Sequence, residues 1–209
     1  MDKGLALRDV VITKGAAPLL SITRNIAPGD VLTLMGPSGV GKSTLLSFVT
    51  GTLAPDFRAS GAVWLNGEDI THVPAHQRRI GILFQDDLLF PHLSVGANLL
   101  FGLRGGGDRQ ARVTEALREV GLEDYADRDP ATLSGGQKAR VALMRMLLSE
   151  PCALLLDEPF SRLDATLRAQ VRSLVFARAK ARQLPVLMVT HDQEDAAAAQ
   201  GEIVTLTQG

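Results

Sequence analysis

Gly36-Pro37-Ser38-Gly39-Val40-Gly41-Lys42-Ser43 fits the pattern G-x-x-x-x-G-K-S, directly after the apolar run 31–35 and ahead of a helix-forming segment. Glycines at this spacing let the backbone curl until several N–H groups point at one anion, and the following helix adds its positive N-terminal end. Lys42 is placed to bridge the β- and γ-phosphates of a nucleotide, and the Ser43 hydroxyl to complete the coordination of Mg²⁺. Alone, the loop indicates a phosphate and no particular reaction.

Ala153-Leu154-Leu155-Leu156-Asp157-Glu158 is an apolar run that ends in two carboxylates. Asp157 can orient a Mg²⁺ shell, and Glu158, one residue on, can polarise a water towards a γ-phosphate. A strand followed by a solvated acidic turn would look the same, so the chemical reading gains its weight from the loop at 36–43. Leu133-Ser134-Gly135-Gly136-Gln137 precedes a helical run and offers free N–H groups, a hydroxyl and a helix dipole to a second face of the same phosphate chain. Its plainer reading is a helix cap at Ser134 with a glycine hinge.

The elements that must hold these residues are legible in outline. Short β-rich segments at 10–13, 31–35 and 63–65 are separated by turn residues such as Pro28-Gly29-Asp30 and Asn66-Gly67. A helix is expected from Lys42, and a strand at 80–84. Residues 94–149 read as mainly helical, with Val113, Leu117 and Val120 on one face and Val141, Met144 and Leu148 on another. Strand, helix and strand then follow at 153–156, 164–182 and 186–189, with a last strand-like run at 203–206. In the 164–182 helix, Leu163, Leu167, Val171, Leu174 and Val175 mark the buried side, and Arg168, Arg172, Lys180 and Arg182 are expected on a solvated face. Strands alternating with helices predict an α/β fold with a largely parallel sheet.

Composition bounds the rest. With 209 residues, 45% hydrophobic and 22% charged, the chain is expected to fold around one sizeable core. A net charge of -1 gives sequence-independent attraction to nucleic acid little to work with. The single cysteine, Cys152, forms no internal disulfide and fits a reducing, cytoplasmic compartment. No apolar stretch approaches the roughly 20 residues that span a bilayer, and the N-terminus lacks the order of a signal peptide. Membrane association is therefore expected to run through a partner.

With these residues in place, the chain resembles the nucleotide-binding subunits of ABC transporters over essentially its whole length. On that resemblance the Walker A loop is Gly36 to Ser43 with Thr44 beside it, the Q-loop glutamine is Gln85, and the signature is Leu133 to Gln137. Walker B ends at Asp157, with Glu158 as catalytic base. The D-loop is Ser161-Arg162-Leu163-Asp164, and the switch histidine is His191 in Thr190-His191-Asp192. The resemblance implies a P-loop NTPase core (about 1–93 and 150–209) carrying an antiparallel β subdomain, with a helical subdomain inserted at about 94–149. It implies ATP and Mg²⁺ as ligands, with Ser43, Gln85 and Asp157 around the metal. It further implies a head-to-tail homodimer, or paired ATPase subunits, in which Leu133, Ser134, Gly135, Gly136, Gln137 and Asp164 act in trans on the partner's ATP. Integral membrane permease subunits, and indirectly a solute-binding protein, are the implied partners, at the inner face of the cell membrane.

Two departures carry expectations of their own. Family members usually stack an aromatic residue from the N-terminal segment on adenine, yet residues 1–35 contain no Phe, Tyr or Trp. An aliphatic cover, Ala16 or Pro18, and weak base selectivity are expected instead. The chain also ends at Gly209, where many sugar-type importer ATPases continue into a regulatory domain; its wording around Gln85 is similar to compact importer ATPases of the thiamine, iron and polyamine type. The apolar segment 86–95 is expected to pack the helical insert, to receive a coupling helix from the permease, or both. An exporter ATPase shares the same hydrolytic core, a soluble repair or translation ATPase usually carries a coiled-coil insertion or tandem cassettes, and a small-molecule kinase has no use for Leu133 to Gln137.

Overall fold

The computed structural model describes residues 3–86 and 88–206. Two sheets form the frame. The antiparallel sheet, in the order β2-β1-β4-β5, is built from β1 (Leu5–Lys14), β2 (Ala17–Ile26), β4 (Phe57–Leu65) and β5 (Glu68–Asp69). The parallel sheet, in the order β6-β7-β8-β3-β9, is built from β3 (Val31–Met35), β6 (Ile80–Leu83), β7 (Ala153–Asp157), β8 (Val186–Val189) and β9 (Glu202–Thr205). The helices are α1 (Lys42–Thr50), α2 (Val95–Gly102), α3 (Arg109–Glu119), α4 (Gly135–Leu148), α5 (Ala165–Ala181) and α6 (Gln193–Ala198).

The central strands are buried on both faces, which is why β7 and β8 read as unbroken apolar runs. Alternation within them divides two cores. Leu154, Leu156, Val186 and Met188 join a core with α2, α3, α4 and α5. Ala153, Leu155, Leu187 and Val189 face the other way, onto Leu45, Leu46, Phe48 and Val49 of α1 and the inward side chains of β1 and β2. The expected helical faces hold: Val113, Leu117 and Val120, then Val141, Met144 and Leu148, are all buried.

Arg78 fixes the helix that follows the phosphate-binding loop. Its guanidinium is 5% exposed and donates to the last-turn carbonyls of α1, Phe48 O at 3.0 Å and Val49 O at 2.9 Å. It also donates to Val73 O at 2.7 Å and Thr71 O at 2.5 Å. A buried cation thus satisfies orphan carbonyls and complements the negative end of the helix dipole.

Several local expectations change. β2 and the short α6 were not foreseen, and β1 and β4 run longer than residues 10–13 and 63–65. Arg168 and Arg172 do not lie on a solvated face. They pair with Asp192 at 2.6 Å and Asp195 at 3.0 Å, pinning α5 to α6, because the neighbouring helix places carboxylates opposite them. Arg182 donates to Leu147 O at 2.9 Å, and only Lys180 of the four stands well exposed without such a role. Among the described residues no helix is long and apolar enough to cross a membrane.

Candidate functional site

In the parallel sheet β8 lies between β7 and β3, so the carboxyl ends of these strands deliver Gly36 to Ser43, Asp157-Glu158 and Thr190-His191 to one edge. That edge is where α/β sheets hold their ligands. The loop after β3 is shaped by its glycines. Gly36, Gly39 and Gly41 have φ of 150°, 85° and 97°, in the region that side chains disfavour. A Cβ at Gly36 would stand 2.7 Å from Leu206 O, and one at Gly41 2.8 Å from Leu19 Cγ. The second contact brings the antiparallel sheet against the loop.

Lys42 is almost wholly buried and crosses the loop, donating from Nζ to Gly36 O at 2.7 Å and Pro37 O at 2.9 Å. An ammonium has three donors, so one remains to meet an anion cradled by the loop. Ser43 Oγ donates to Asp157 Oδ1 at 3.1 Å, joining the first turn of α1 to the end of β7. Burial pushes the Asp157 carboxyl above its usual range and Glu158 adds to the rise, while the Ser43 hydroxyl and Lys42 pull it down. The site therefore favours a positive charge that would relieve the buried carboxylate.

Glu158 holds a left-handed backbone, φ 48°, which is strained for a residue with a Cβ. Glu158 N–H donates to Val189 O at 2.9 Å, and its carbonyl accepts the Ser161 hydroxyl at 2.9 Å, so neighbouring elements hold the strain in place. Its carboxylate accepts from Thr190 Oγ1 at 3.3 Å and lies 2.9 Å from His191 Nδ1. Glu158 is largely covered, whereas the His191 side chain is 71% exposed. Asp192, the residue after His191, caps α6 by accepting from the N–H groups of Glu194 at 2.8 Å and Asp195 at 3.1 Å.

A cleft of about 430 Å³ joins the loop to the paired carboxylates, with His191 outside its lining and connected to it through Glu158. It is lined by the loop and α1 residues Ser38, Gly39, Gly41, Lys42, Ser43 and Thr44, by Gln85, Asp157 and Glu158, and, from the antiparallel sheet, by Lys14, Leu19 and Phe57. Hard oxygen donors converge at its floor in the Ser43 hydroxyl and Asp157 carboxylate. Among the described residues no group of three His, Cys, Asp or Glu side chains stands ready for a metal. A cation here would depend on ligand phosphates for the rest of its shell, as Mg²⁺ commonly does.

Other expected site residues lie elsewhere. Leu133, Ser134, Gly135, Gly136, Gln137 and Asp164 do not line the cleft. Ser134 and Gln137 close a capping box on α4: the Ser134 hydroxyl accepts Gln137 N–H at 3.3 Å and Gln137 Oε1 accepts Ser134 N–H at 2.9 Å. Asp164 caps α5 by accepting Leu167 N–H at 3.0 Å. Gln85 is followed by Asp86, which pairs with Arg162 of the segment leading into α5; Asp87 lies outside the described residues.

The base cover expected from Ala16 or Pro18 is not what lines the cleft. Leu19 and Phe57 do, with Lys14 beside them. Lys14 and Phe57 are directly opposite each other at the paired ends of β1 and β4. An aromatic residue near the end of the loop after α1 was visible in the sequence, but only strand pairing shows where it goes.

The ABC transporter family model matches residues 19–161, more than half of the chain. The chain is 53% identical over 183 residues to the ABC transporter ATP-binding protein YnjD of Escherichia coli (strain K12), covering 86% of this chain and 84% of that one. It is 44% identical over 189 residues to the thiamine import ATP-binding protein ThiQ of Vibrio cholerae, covering 88% and 78%. With the spermidine/putrescine import ATP-binding protein PotA of Pasteurella multocida it shares 41% over 210 residues, 98% of this chain but only 56% of that protein. A phosphate loop, paired carboxylates and a histidine on one sheet edge, within a chain so closely matched, make the assignment: the chain belongs to the ABC transporter family and is an ATP-binding, ATP-hydrolysing subunit of it.

Proposed function

We propose that the cleft holds ATP with Mg²⁺ and that its hydrolysis drives import of a solute through separate integral membrane permease subunits. The convergence of Ser43, Asp157, Glu158 and His191 at the carboxyl edge of β3, β7 and β8 carries this reading. The residues of the loop, Gly36 to Ser43 with Thr44, bind the phosphates. Ser43, Asp157 and Gln85 are the oxygen ligands that would hold Mg²⁺, which when bound neutralises charge on the β- and γ-phosphates. Glu158 accepts a proton from the attacking water as its oxygen bonds to the γ-phosphorus and the bond to the β-phosphate oxygen breaks. His191, held against Glu158, is the switch residue beside the γ-phosphate.

The residues at 133–137 and Asp164 act on a second copy in a head-to-tail dimer. Two features support this: they stand away from the cleft of their own chain, and a Cβ at Gly135 would meet nothing within 4 Å, so the α4 N-terminus is open to an approaching ligand. ATP held between two half-sites drives closure and its hydrolysis releases it. Residues 94–149 form the helical subdomain on a core made of about 1–93 and 150–209.

Import is supported by the names of the ThiQ and PotA relatives, and permease docking by the exposure of Leu88 and Phe84, 56% and 43%, next to Gln85. The subunit then sits peripherally on the inner face of the membrane, with a solute-binding protein on the outer side. Sedimentation of the Glu158→Gln variant tests the trans assignment. Saturating Mg·ATP is expected to convert it to a dimer; a variant that binds ATP and stays monomeric contradicts it.

A further inference from the structure

Three residues of the antiparallel sheet, Lys14, Leu19 and Phe57, share the wall of the cleft with the phosphate-binding loop and the carboxylates. Lys14 closes β1 and Phe57 opens β4, paired directly across the antiparallel sheet. Leu19 of β2 completes the wall and touches the loop at Gly41. The Phe57 ring is half-buried on the second core, which fixes its plane, and Lys14 Nζ stands 5.8 Å from the ring centroid. Lys14 is exposed, so its ammonium is free to swing aside. No aromatic side chain in residues 1–35 competes for this place.

We propose that the purine base of the nucleotide rests on Phe57, flanked by Leu19 and Lys14, and that this platform accepts guanine as readily as adenine. The inference depends on the cleft being the nucleotide site. A phenyl ring stacks on any base, because every base has a π face. Telling adenine from guanine needs hydrogen bonds to the base edge. Adenine presents an amine donor where guanine presents the O6 acceptor, and neither Leu19 nor Phe57 nor Lys14 carries a side-chain acceptor to read that amine. Lys14 is a donor only and satisfies the guanine oxygen at least as well. Sites that leave a polar difference unread discriminate weakly. The base platform has thus moved from the N-terminal segment to β4.

Equilibrium binding of ATP, GTP and inorganic tripolyphosphate, each with Mg²⁺, to the full chain and to Phe57→Leu separates the possibilities. Leucine keeps apolar bulk against the core and removes the π face. Wild type is expected to bind GTP within about tenfold of ATP. Phe57→Leu is expected to lose about fivefold or more for both nucleotides and nothing for tripolyphosphate. Phe57→Trp is expected to retain nucleotide affinity and to report binding by a change in its fluorescence. Unchanged ATP and GTP affinity in Phe57→Leu overturns the platform, and so does a parallel loss for tripolyphosphate. A much larger wild-type preference for ATP overturns the guanine claim. Wild type that binds neither ATP nor tripolyphosphate removes the site assignment itself, a separate failure.

Discussion

His191 Nδ1 lies 2.9 Å from Glu158 Oε1, so a residue just beyond the end of β8 is tied to the one that follows β7, across adjacent parallel strands. The exposed imidazole reaches over a covered carboxylate whose backbone is already strained. His191→Ala leaves the phosphate loop untouched and removes the partner that orients Glu158. ATP hydrolysis is expected to fall by about 10²-fold or more, in kcat rather than KM. Steady-state kinetics check it, and a loss confined to KM would place His191 in binding alone.

Asp192 links that histidine to α6 and α5. Burial pushes its carboxyl up, but the N–H groups of Asp195 and Glu194 and the Arg168 guanidinium outweigh burial and hold it below the usual carboxylate range. A depressed pKa stabilises the fold above the unfolded value of about 3.9 and is lost as pH falls through the folded value. Asp192→Asn keeps a competent helix cap and removes the charge. It is expected to cost about 1 kcal/mol at pH 7, a difference that shrinks as pH falls through the lowered folded value, measured by urea unfolding across pH.

Arg78 couples stability to the loop helix. Arg78→Ala strips the carbonyls of Phe48, Val49, Val73 and Thr71 of a charged donor. A loss of about 3 kcal/mol is expected in chemical denaturation. Arg78→Lys recovers only part of it, since an ammonium does not reproduce the fork. Full recovery by lysine would mean that charge alone matters.

Leu88, exposed and with φ 44°, belongs to the segment proposed to dock the permease. Aspartate adopts that conformation more readily than leucine, so Leu88→Asp places a charge on the surface without straining the chain. Basal ATPase is expected to stay near wild type while permease-stimulated activity in proteoliposomes is abolished. Parallel loss of both would make the segment structural.

The chemistry was legible where it demands fixed residue types at fixed spacing, as at Gly36 to Ser43 and Asp157-Glu158, and where buried parallel strands leave unbroken apolar runs. What local pattern does not carry is long-range pairing. β2 shows only Leu20, Ile22 and Ile26 buried among exposed residues, too sparse for a period to stand out. Arg168 and Arg172 look like solvent-facing charges until α6, short and held by the Asp192 cap, sets Asp192 and Asp195 against them. Phe57 looks like a loop residue until β4 pairs with β1 from its first residue and carries the ring to the wall of the cleft.

Glu158 is proposed to act as base in a cleft that binds ATP without it. Steady-state ATP hydrolysis by Glu158→Gln, run beside its ATP affinity, tests this most directly. Affinity within a few-fold of wild type with kcat reduced by about 10²-fold or more is the predicted result. Hydrolysis at the wild-type rate, with ATP bound as before, would contradict it.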